Sequence, residues 1–389
     1  MTEWKKVRLG DLCKNVYSGG TPKKSITEYY DGSIFWLNTK EINFNRIYET
    51  EKTISEKGLA NSSAKYIPEN TVVVAMYGTT AGKVAIAKNE MTTNQACCNL
   101  IIDETKADYN FVYYSIAHNY KKLSSLANGG AQQNLNAGII KDFEISLPPL
   151  SIQKEIASIL IPLDDKIENN KKINHHLEEV INAIFLRYIE SSKQLEAKKL
   201  GELFDTKTAT FNPAKAREEK VNHFSLPAFD SSQYPLVDET NNIKSNKNII
   251  KEYSVLFSKL NPSTKRVWVP FTNQDLISVC STEFVSLAGK DKIEQAILFA
   301  IINSQIFQDY FVAHATGTTN SRQRTKPSVA YEFEIPYNKN LLNQLGRTLS
   351  PLLTQLEDNL HQIHKLTQIR NELLPKLLSG KLSINQATK

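Results

Sequence analysis

Two stretches of this chain carry the same long pattern of apolar residues, spaced alternately by four and by three. In the first, Ile156, Leu160, Leu163, Ile167, Asn170, Asn174, Leu177, Ile181 and Ile184 keep that rhythm. In the second, Leu345, Leu349, Leu352, Leu356, Asn359, Ile363, Leu366, Arg370 and Leu373 hold the same register 189 residues later. Such spacing lays one narrow stripe along a helix face, the seam of a coiled coil. A lone helix can bury its stripe against its own globular domain; two matching stripes in one chain favour pairing with each other. The seam is expected to use Leu163, Ile167, Asn170 and Leu177 of the first helix and Leu352, Leu356, Asn359 and Leu366 of the second. Asn170 and Asn359 share a heptad position, so an antiparallel pair is expected to join their amides and fix the register. Proline is tolerated in a first helical turn but not in an interior. Pro162 and Pro351, with Ser350 as a cap, therefore put the helices at roughly 162–190 and 350–378, each about 40 Å long.

The duplication extends beyond the helices. Leu9-Gly10-Asp11-Leu12 matches Leu200-Gly201-Glu202-Leu203, Ala127-Asn128-Gly129 matches Ala315-Thr316-Gly317, and Phe143-Glu144-Ile145 matches Phe333-Glu334-Ile335, at offsets of 191, 188 and 190. Strands are expected at 71–76, 83–87 and 96–102, and again at 253–257, 267–271 and 276–280. Helical stretches follow near 109–126 and 292–314, and Gly19-Gly20 and Asn128-Gly129-Gly130 mark tight turns. The chain thus reads as α+β: two similar mixed α/β domains separated by two long antiparallel coiled-coil helices, a pseudo-two-fold internal repeat. The expected boundaries are 1–149, 150–192, 193–337 and 338–382, with a tail at 383–389. A length of 389 residues accommodates two domains and their connections.

Several chemistries are excluded. Gly78-Thr79-Thr80-Ala81-Gly82-Lys83-Val84 imitates a phosphate-binding loop, but one residue too few separates its glycines and Val84 has no hydroxyl for Mg²⁺. It reads instead as a turn between strands. Neither a glycine-rich cofactor loop nor an Asn-Pro-Pro-aromatic tetrapeptide appears, so adenine methylation is not expected of this chain. No Pro-Asp pair precedes a Glu-x-Lys, which removes the usual Mg²⁺-holding nuclease signature. His175-His176 and His361 with His364 lie outside the seam and read as solvated helix faces rather than metal ligands. The four cysteines, Cys13, Cys97, Cys98 and Cys280, form no CxxC pair, which argues for a reducing compartment and against a disulfide or zinc framework. The N-terminus has no apolar signal core, and the longest apolar run, Ala296 to Ile302, is far too short to span a bilayer. A cytoplasmic protein without membrane contact is expected, and its net charge of +6 permits an anionic partner.

Against that order of segments, the local motifs carry a family likeness. Ser18-Gly19-Gly20-Thr21-Pro22, then Phe35-Trp36-Leu37-Asn38-Thr39-Lys40, resembles the opening of a target recognition domain of type I restriction–modification specificity subunits. Met76-Tyr77-Gly78-Thr79 and Asn94-Gln95-Ala96 resemble its middle. Its end is matched by Asn128-Gly129-Gly130-Ala131-Gln132-Gln133-Asn134-Leu135 and Ile145-Ser146-Leu147-Pro148-Pro149-Leu150. Gln153-Lys154-Glu155-Ile156-Ala157 with Leu163-Asp164-Asp165-Lys166-Ile167-Glu168, and Leu373-Leu374-Pro375-Lys376-Leu377-Leu378-Ser379-Gly380-Lys381, resemble the conserved helical regions. The likeness covers nearly the whole chain. The second domain departs from it, with Gly317-Thr318-Thr319-Asn320-Ser321-Arg322-Gln323-Arg324 in place of the Gln-Gln-Asn-Leu stretch.

The resemblance implies a non-catalytic subunit that reads a bipartite double-stranded DNA site, one half per domain. It implies two methylation subunits that bind S-adenosylmethionine and motor-nuclease subunits that use ATP and Mg²⁺, with no cofactor on this chain. Reading bases needs amide or guanidinium groups that make paired hydrogen bonds to base edges. Gln132, Gln133 and Asn134 offer these in one domain, and Arg322, Gln323 and Arg324 in the other. Thr21, Tyr77 and Thr79 belong to the matching motifs, and Thr80 adjoins one; all four are expected to touch DNA. Lys23, Lys24, Lys83, Lys265, Arg266 and Lys326 are the expected phosphate contacts. Two other readings stay open: a coiled-coil scaffold without DNA specificity, and an enzyme acting alone on DNA, which the missing motifs disfavour.

Overall fold

The computed structural model of the protein describes residues 4–127, 134–271, 275–317 and 323–381. The chain divides into two compact units, residues 1–165 with 367–389 and residues 166–366. Two long helices, Leu150–Ser191 and Lys339–Leu378, each contribute to both units.

In the first unit a five-stranded sheet runs in the order Cys13–Ser18, Cys97–Ile102, Thr71–Ala75, Val84–Ala87, Asn45–Ile47. Successive side chains on a strand point to opposite faces. Accordingly Val72 and Val74 pack with Phe111, Val112 and Ile116 of the helix Tyr109–His118. Val73 and Ala75 pack on the other face against Leu37, Ile67 and Met91, from the smaller four-stranded sheet and its surroundings. Both faces are covered, which is why this strand is apolar without alternation.

The second unit holds a three-stranded sheet, Val267–Trp268, Ser254–Ser258 and Phe284–Ala288, and a five-stranded one with Leu236–Glu239 at its edge. Its largest core packs Val255, Phe257, Val285 and Leu287 with Leu298, Ile301, Phe307 and Phe311. The strand expected at 267–271 stops at Trp268, because Pro270 has no N–H for a ladder. The helical stretch expected at 292–314 is two helices, Lys292–Asn303 and Gln305–Ala313. Ser304 breaks it by turning extended and capping the second helix, its Oγ accepting from Phe307 N at 3.2 Å.

The duplication holds in detail. The first strand of each half pairs antiparallel with its last, Lys5–Arg8 with Glu144–Leu147 and Ala197–Lys199 with Glu334–Pro336. Leu9 N donates to Phe143 O and Leu200 N to Phe333 O, both at 2.9 Å. The glycines that follow sit in close approach to a neighbouring stretch of the chain. A Cβ on Gly10 would lie 3.2 Å from Lys141 Cβ, and one on Gly201 would lie 3.2 Å from Tyr331 Cβ.

The helices begin earlier than the prolines suggest, at Leu150 and Lys339, with Pro162 and Pro351 inside them. An interior proline costs about 3 kcal/mol. The turns before it bury Ile156, Ala157 and Leu160 in one helix and Leu342, Leu345 and Leu349 in the other. At roughly 1.5–3 kcal/mol for each fully buried large aliphatic side chain, that packing outweighs the break. Ser350 is no cap; its carbonyl accepts from Thr354 Oγ1 at 3.0 Å. The true cap of the second helix is Asn338, whose Oδ1 accepts from Asn340 N and Leu341 N.

Within each unit the two helices pair antiparallel. In the first, Ile156 and Leu160 share a core with Leu374 and Leu377, and Arg370 Nη1 donates to Asp164 Oδ1 at 2.8 Å. Asp164 also accepts from Tyr114 OH at 2.7 Å. In the second, Ile167, Asn170, Leu356 and Asn359 are buried as expected, while Leu177, Leu352 and Leu366 are half-buried, as is Leu163 in the first. Leu353 takes the buried place beside Leu352. The expected pairing of Asn170 with Asn359 is corrected. Asn359 Nδ2 donates to Asn174 Oδ1 at 2.8 Å, and Asn170 Nδ2 donates to Gln362 Oε1 at 3.2 Å. The register is displaced by one turn, because an equal heptad position does not fix which residues face each other across an antiparallel seam.

Candidate nucleic-acid interface

Each unit joins two loops by the same backbone arrangement. In the first, Met76 follows the strand Thr71–Ala75. Its N–H donates to Ala96 O and its carbonyl accepts from Leu135 N, both at 2.8 Å. Tyr77 then bridges Asn134. In the second unit Lys259 takes that place, donating to Glu283 O at 2.9 Å and accepting from Thr325 N at 3.1 Å, and Leu260 bridges Arg324. Asn134 and Arg324, 190 positions apart, are thus structural equivalents. Main-chain bonds build the frame, so the side chains it displays are free to differ.

The turn beside Asn134 is a hairpin, as its failure as a phosphate loop anticipates. Gly78 and Gly82 have φ of 73° and 86°, which glycine adopts without steric cost. Gly82 N closes the turn on Ala75 O and Lys83 N closes on Thr80 O, each at 2.8 Å. Tyr77, Thr79 and Asn134 are exposed and Thr80 half-exposed. Lys83 Nζ donates to Asn43 Oδ1 at 2.8 Å. The fold therefore gathers Tyr77, Thr79, Thr80, Lys83 and Asn134; Gln132 and Gln133 lie outside the described residues.

Thr21, Lys23 and Lys24 stand on a different loop, after the strand Cys13–Ser18, and share no hydrogen bond with that turn. Its base is fixed: a Cβ on Gly19 would sit 2.1 Å from Thr93 O, Trp36 Nε1 donates to Gly20 O at 2.9 Å, and Tyr30 OH donates to Pro22 O at 2.6 Å. Lys23 and Lys24 project from it, exposed.

In the second unit Arg324 grips Glu283 with two parallel hydrogen bonds, Nε to Oε2 at 3.1 Å and Nη2 to Oε1 at 3.0 Å. Its side chain stays 51% exposed. Gln323 O accepts from Asn261 N at 2.9 Å, and Lys326 is exposed ahead of the helix Pro327–Tyr331. Arg322 lies outside the described residues.

Lys265 and Arg266 do not offer the free charges expected of them. Lys265 lies at the surface but turns its Nζ inward to Asn303 O at 2.8 Å; burial pushes its pKa down, with Glu178 acting the other way. Arg266 is held by Asp230 at 2.6 and 3.0 Å and its side chain is 14% exposed. His364 is half-buried rather than solvated, while His361 is exposed as expected but has a ring neighbour. His364 stacks on Tyr234, ring centres 3.5 Å apart, and His361 packs on Phe271, while His175 and His176 are exposed beside Glu179.

Glu283 and Asp230 escaped sequence reasoning. The signal for Glu283 was present: Ser281-Thr282-Glu283 stands 187 positions after Asn94-Gln95-Ala96. Glu283 N donates to Ser281 Oγ as Ala96 N donates to Asn94 Oδ1. Among the described residues no three His, Cys, Asp or Glu gather into a metal-holding group, and no single helix is long and apolar enough to cross a membrane.

Comparison with known proteins adds independent findings. Residues 1–179 match the family model described as the type I restriction modification DNA specificity domain. The chain is 25% identical to the type I restriction enzyme MjaIX specificity subunit of Methanocaldococcus jannaschii, over 99% of this chain and 98% of that protein. It is 29% identical to the EcoR124I/EcoR124II specificity subunit of Escherichia coli over 42% of this chain and 41% of that one. The crystal structure of the type I restriction–modification system S subunit from M. genitalium shares its fold over 96% of each chain, with a TM-score of 0.58 and 19% identity.

Proposed function

On the match of residues 1–179 to the type I restriction modification DNA specificity domain and the full-length likeness to a specificity subunit, we propose that the chain is a type I restriction–modification DNA specificity subunit, in which each globular half reads one half of a bipartite duplex target while the helical regions scaffold the other subunits. The chain itself is non-catalytic and binds no cofactor. Two methylation subunits carry S-adenosylmethionine, and restriction subunits carry ATP and Mg²⁺, in a complex acting in the cytoplasm. The observation that carries this reading is the doubled loop frame. The same main-chain arrangement displays an amide at Asn134 and a guanidinium at Arg324, the two side-chain types that read adenine and guanine edges. A shared frame with different polar tips is what a reader of two unlike half-sites requires. Tyr77, Thr79, Thr80, Gln132 and Gln133 extend the first reading surface, and Arg322 and Gln323 the second. Thr21, Lys23, Lys24, Lys83 and Lys326 hold phosphates.

Selection from a pool of random duplexes, with the full-length chain alone and assembled with a methylation subunit, tests the proposal. Enrichment of two short motifs separated by a fixed unread gap is expected. Binding without sequence enrichment in either form would leave a scaffold role as the surviving reading.

A further inference from the structure

Arg324 and Glu283 form a pair that the first unit lacks. At the equivalent positions that unit has Asn134 and Ala96. A charge stands on the supporting turn only where a charge stands on the displayed loop. An exposed ion pair adds little stability, so stability is a weak reason for the pair.

The geometry gives a stronger one. A guanidinium has five N–H donors in a rigid fork. Here Nε and one N–H of Nη2 are spent on Glu283. The remaining edge, Nη1 with the second N–H of Nη2, carries two parallel donors and makes no hydrogen bond to a described residue. That edge matches the O6 and N7 acceptors of guanine in the major groove. Glu283 is well placed to hold it. Its carbonyl accepts from Lys259 N and its N–H donates to Ser281 Oγ, so its backbone belongs to the frame that carries Arg324. Its side chain is 26% exposed against 51% for Arg324, which leaves the carboxylate beneath the guanidinium rather than facing outward. Arg266 has the same fork on Asp230 but is 14% exposed, too covered to present its far edge.

We infer that Glu283 is a positioning residue that sets Arg324 to read a guanine in the half-site of the second unit. The inference rests on the proposed DNA reading. It adds a base identity and a residue that touches no DNA. Holding the arginine in its reading conformation before binding spares the ordering cost of a long side chain, about two- to ten-fold in affinity for the correct base.

The test selects random duplexes with the full-length chain assembled with its methylation subunit, comparing wild type with Arg324→Ala, Glu283→Ala, Glu283→Gln and Glu283→Asp. Thermal unfolding of each variant checks that it folds. Arg324→Ala should erase a guanine preference at one position of one half-site. Glu283→Ala and Glu283→Gln should weaken that same preference by about two- to ten-fold. The other half-site should be untouched, and Glu283→Asp, which keeps two acceptor oxygens, should recover part of the preference. Four results overturn the inference. One is that Arg324→Ala removes a base other than guanine, or nothing. Another is that the Glu283 variants leave the guanine preference intact. A third is that they weaken every position alike, as a structural role would. The fourth is that Glu283→Ala tightens binding to all sequences with the preference unchanged, which would make the carboxylate a competitor of DNA. Wild type without any bipartite enrichment would refute the DNA reading itself, a failure distinct from the other four.

Discussion

Removing Asn359 alone should destabilise the second unit, whereas removing it together with Asn174 should not. Asn359 is 3% exposed and donates to Asn174 Oδ1 at 2.8 Å, while its own Oδ1 accepts from Gln355 Nε2 at 3.0 Å. Asn359→Leu takes the donor away and leaves Asn174 Oδ1 in a dry seam. A buried polar atom without a partner costs roughly 1–3 kcal/mol. For a unit spanning residues 166–366, each kcal/mol moves the melting temperature by about 2–4 °C. The single variant should therefore melt roughly 2–12 °C lower. Asn174→Leu should behave similarly, since it strands the Asn359 amide. In the double variant both polar groups are gone, and an apolar pair of like volume should restore wild-type stability or exceed it. Calorimetry on the four proteins closes a double-mutant cycle. Effects that add within about 0.5 kcal/mol would refute the pairing, because residues in one hydrogen bond must couple.

Other perturbations probe the DNA contacts, the helices and the histidines packed on aromatic rings separately. Lys23→Ala with Lys24→Ala should weaken DNA binding evenly across sequences and reduce the slope of log affinity against log salt by about 0.9 for each phosphate no longer neutralised; an unchanged slope removes both lysines from the phosphate set. A seven-residue insertion in each helix, placed face to face between Ile167 and Asn170 and between Ile363 and Leu366, keeps the seam and adds about 10.5 Å. Methylation-site mapping should then show the unread gap longer by about three base pairs with both half-sites unchanged, and an unaltered gap in a folded, active protein would show that the helices are not the ruler. Burial against Tyr234 and Phe271 lowers the pKa of His361 and His364. The unfolded chain takes up protons more readily, so the stability these rings contribute is present above the ordinary histidine value of 6.5 and is lost as pH falls below it. Melting curves at pH 7.5 and 5.0 should show the loss, and His361→Phe with His364→Phe should flatten it.

Periodicity made the two helices, their antiparallel pairing and the doubled order of segments legible in the sequence, because a seam must repeat to stay on one face. It could not reveal which residues face each other, since heptad position is blind to a shift of one turn; hence Asn174 rather than Asn170 meets Asn359. Proline misled the helix starts because local propensity was weighed without the burial of Ile156 or Leu345 that overrides it. The loop motifs located the frame around Tyr77 and Asn134. Ion-pair partners distant in the chain were not legible locally: nothing near Arg266 or Arg324 announces Asp230 or Glu283, 36 and 41 positions away, and only the repeat offset points to the place of Glu283.

The pairing of first and last strands in each half has a consequence for how such a chain can evolve. Because Lys6 lies opposite Ser146 and Lys198 opposite Ile335, each half begins and ends at neighbouring points, its ends clasped by a short ladder. Everything between the clasps is a cassette. The hydrogen bond from Leu9 to Phe143, repeated from Leu200 to Phe333, is made by main chain and does not depend on the cassette's contents. Recombination between related chains at these joints would transplant an entire reading surface without disturbing its mounting.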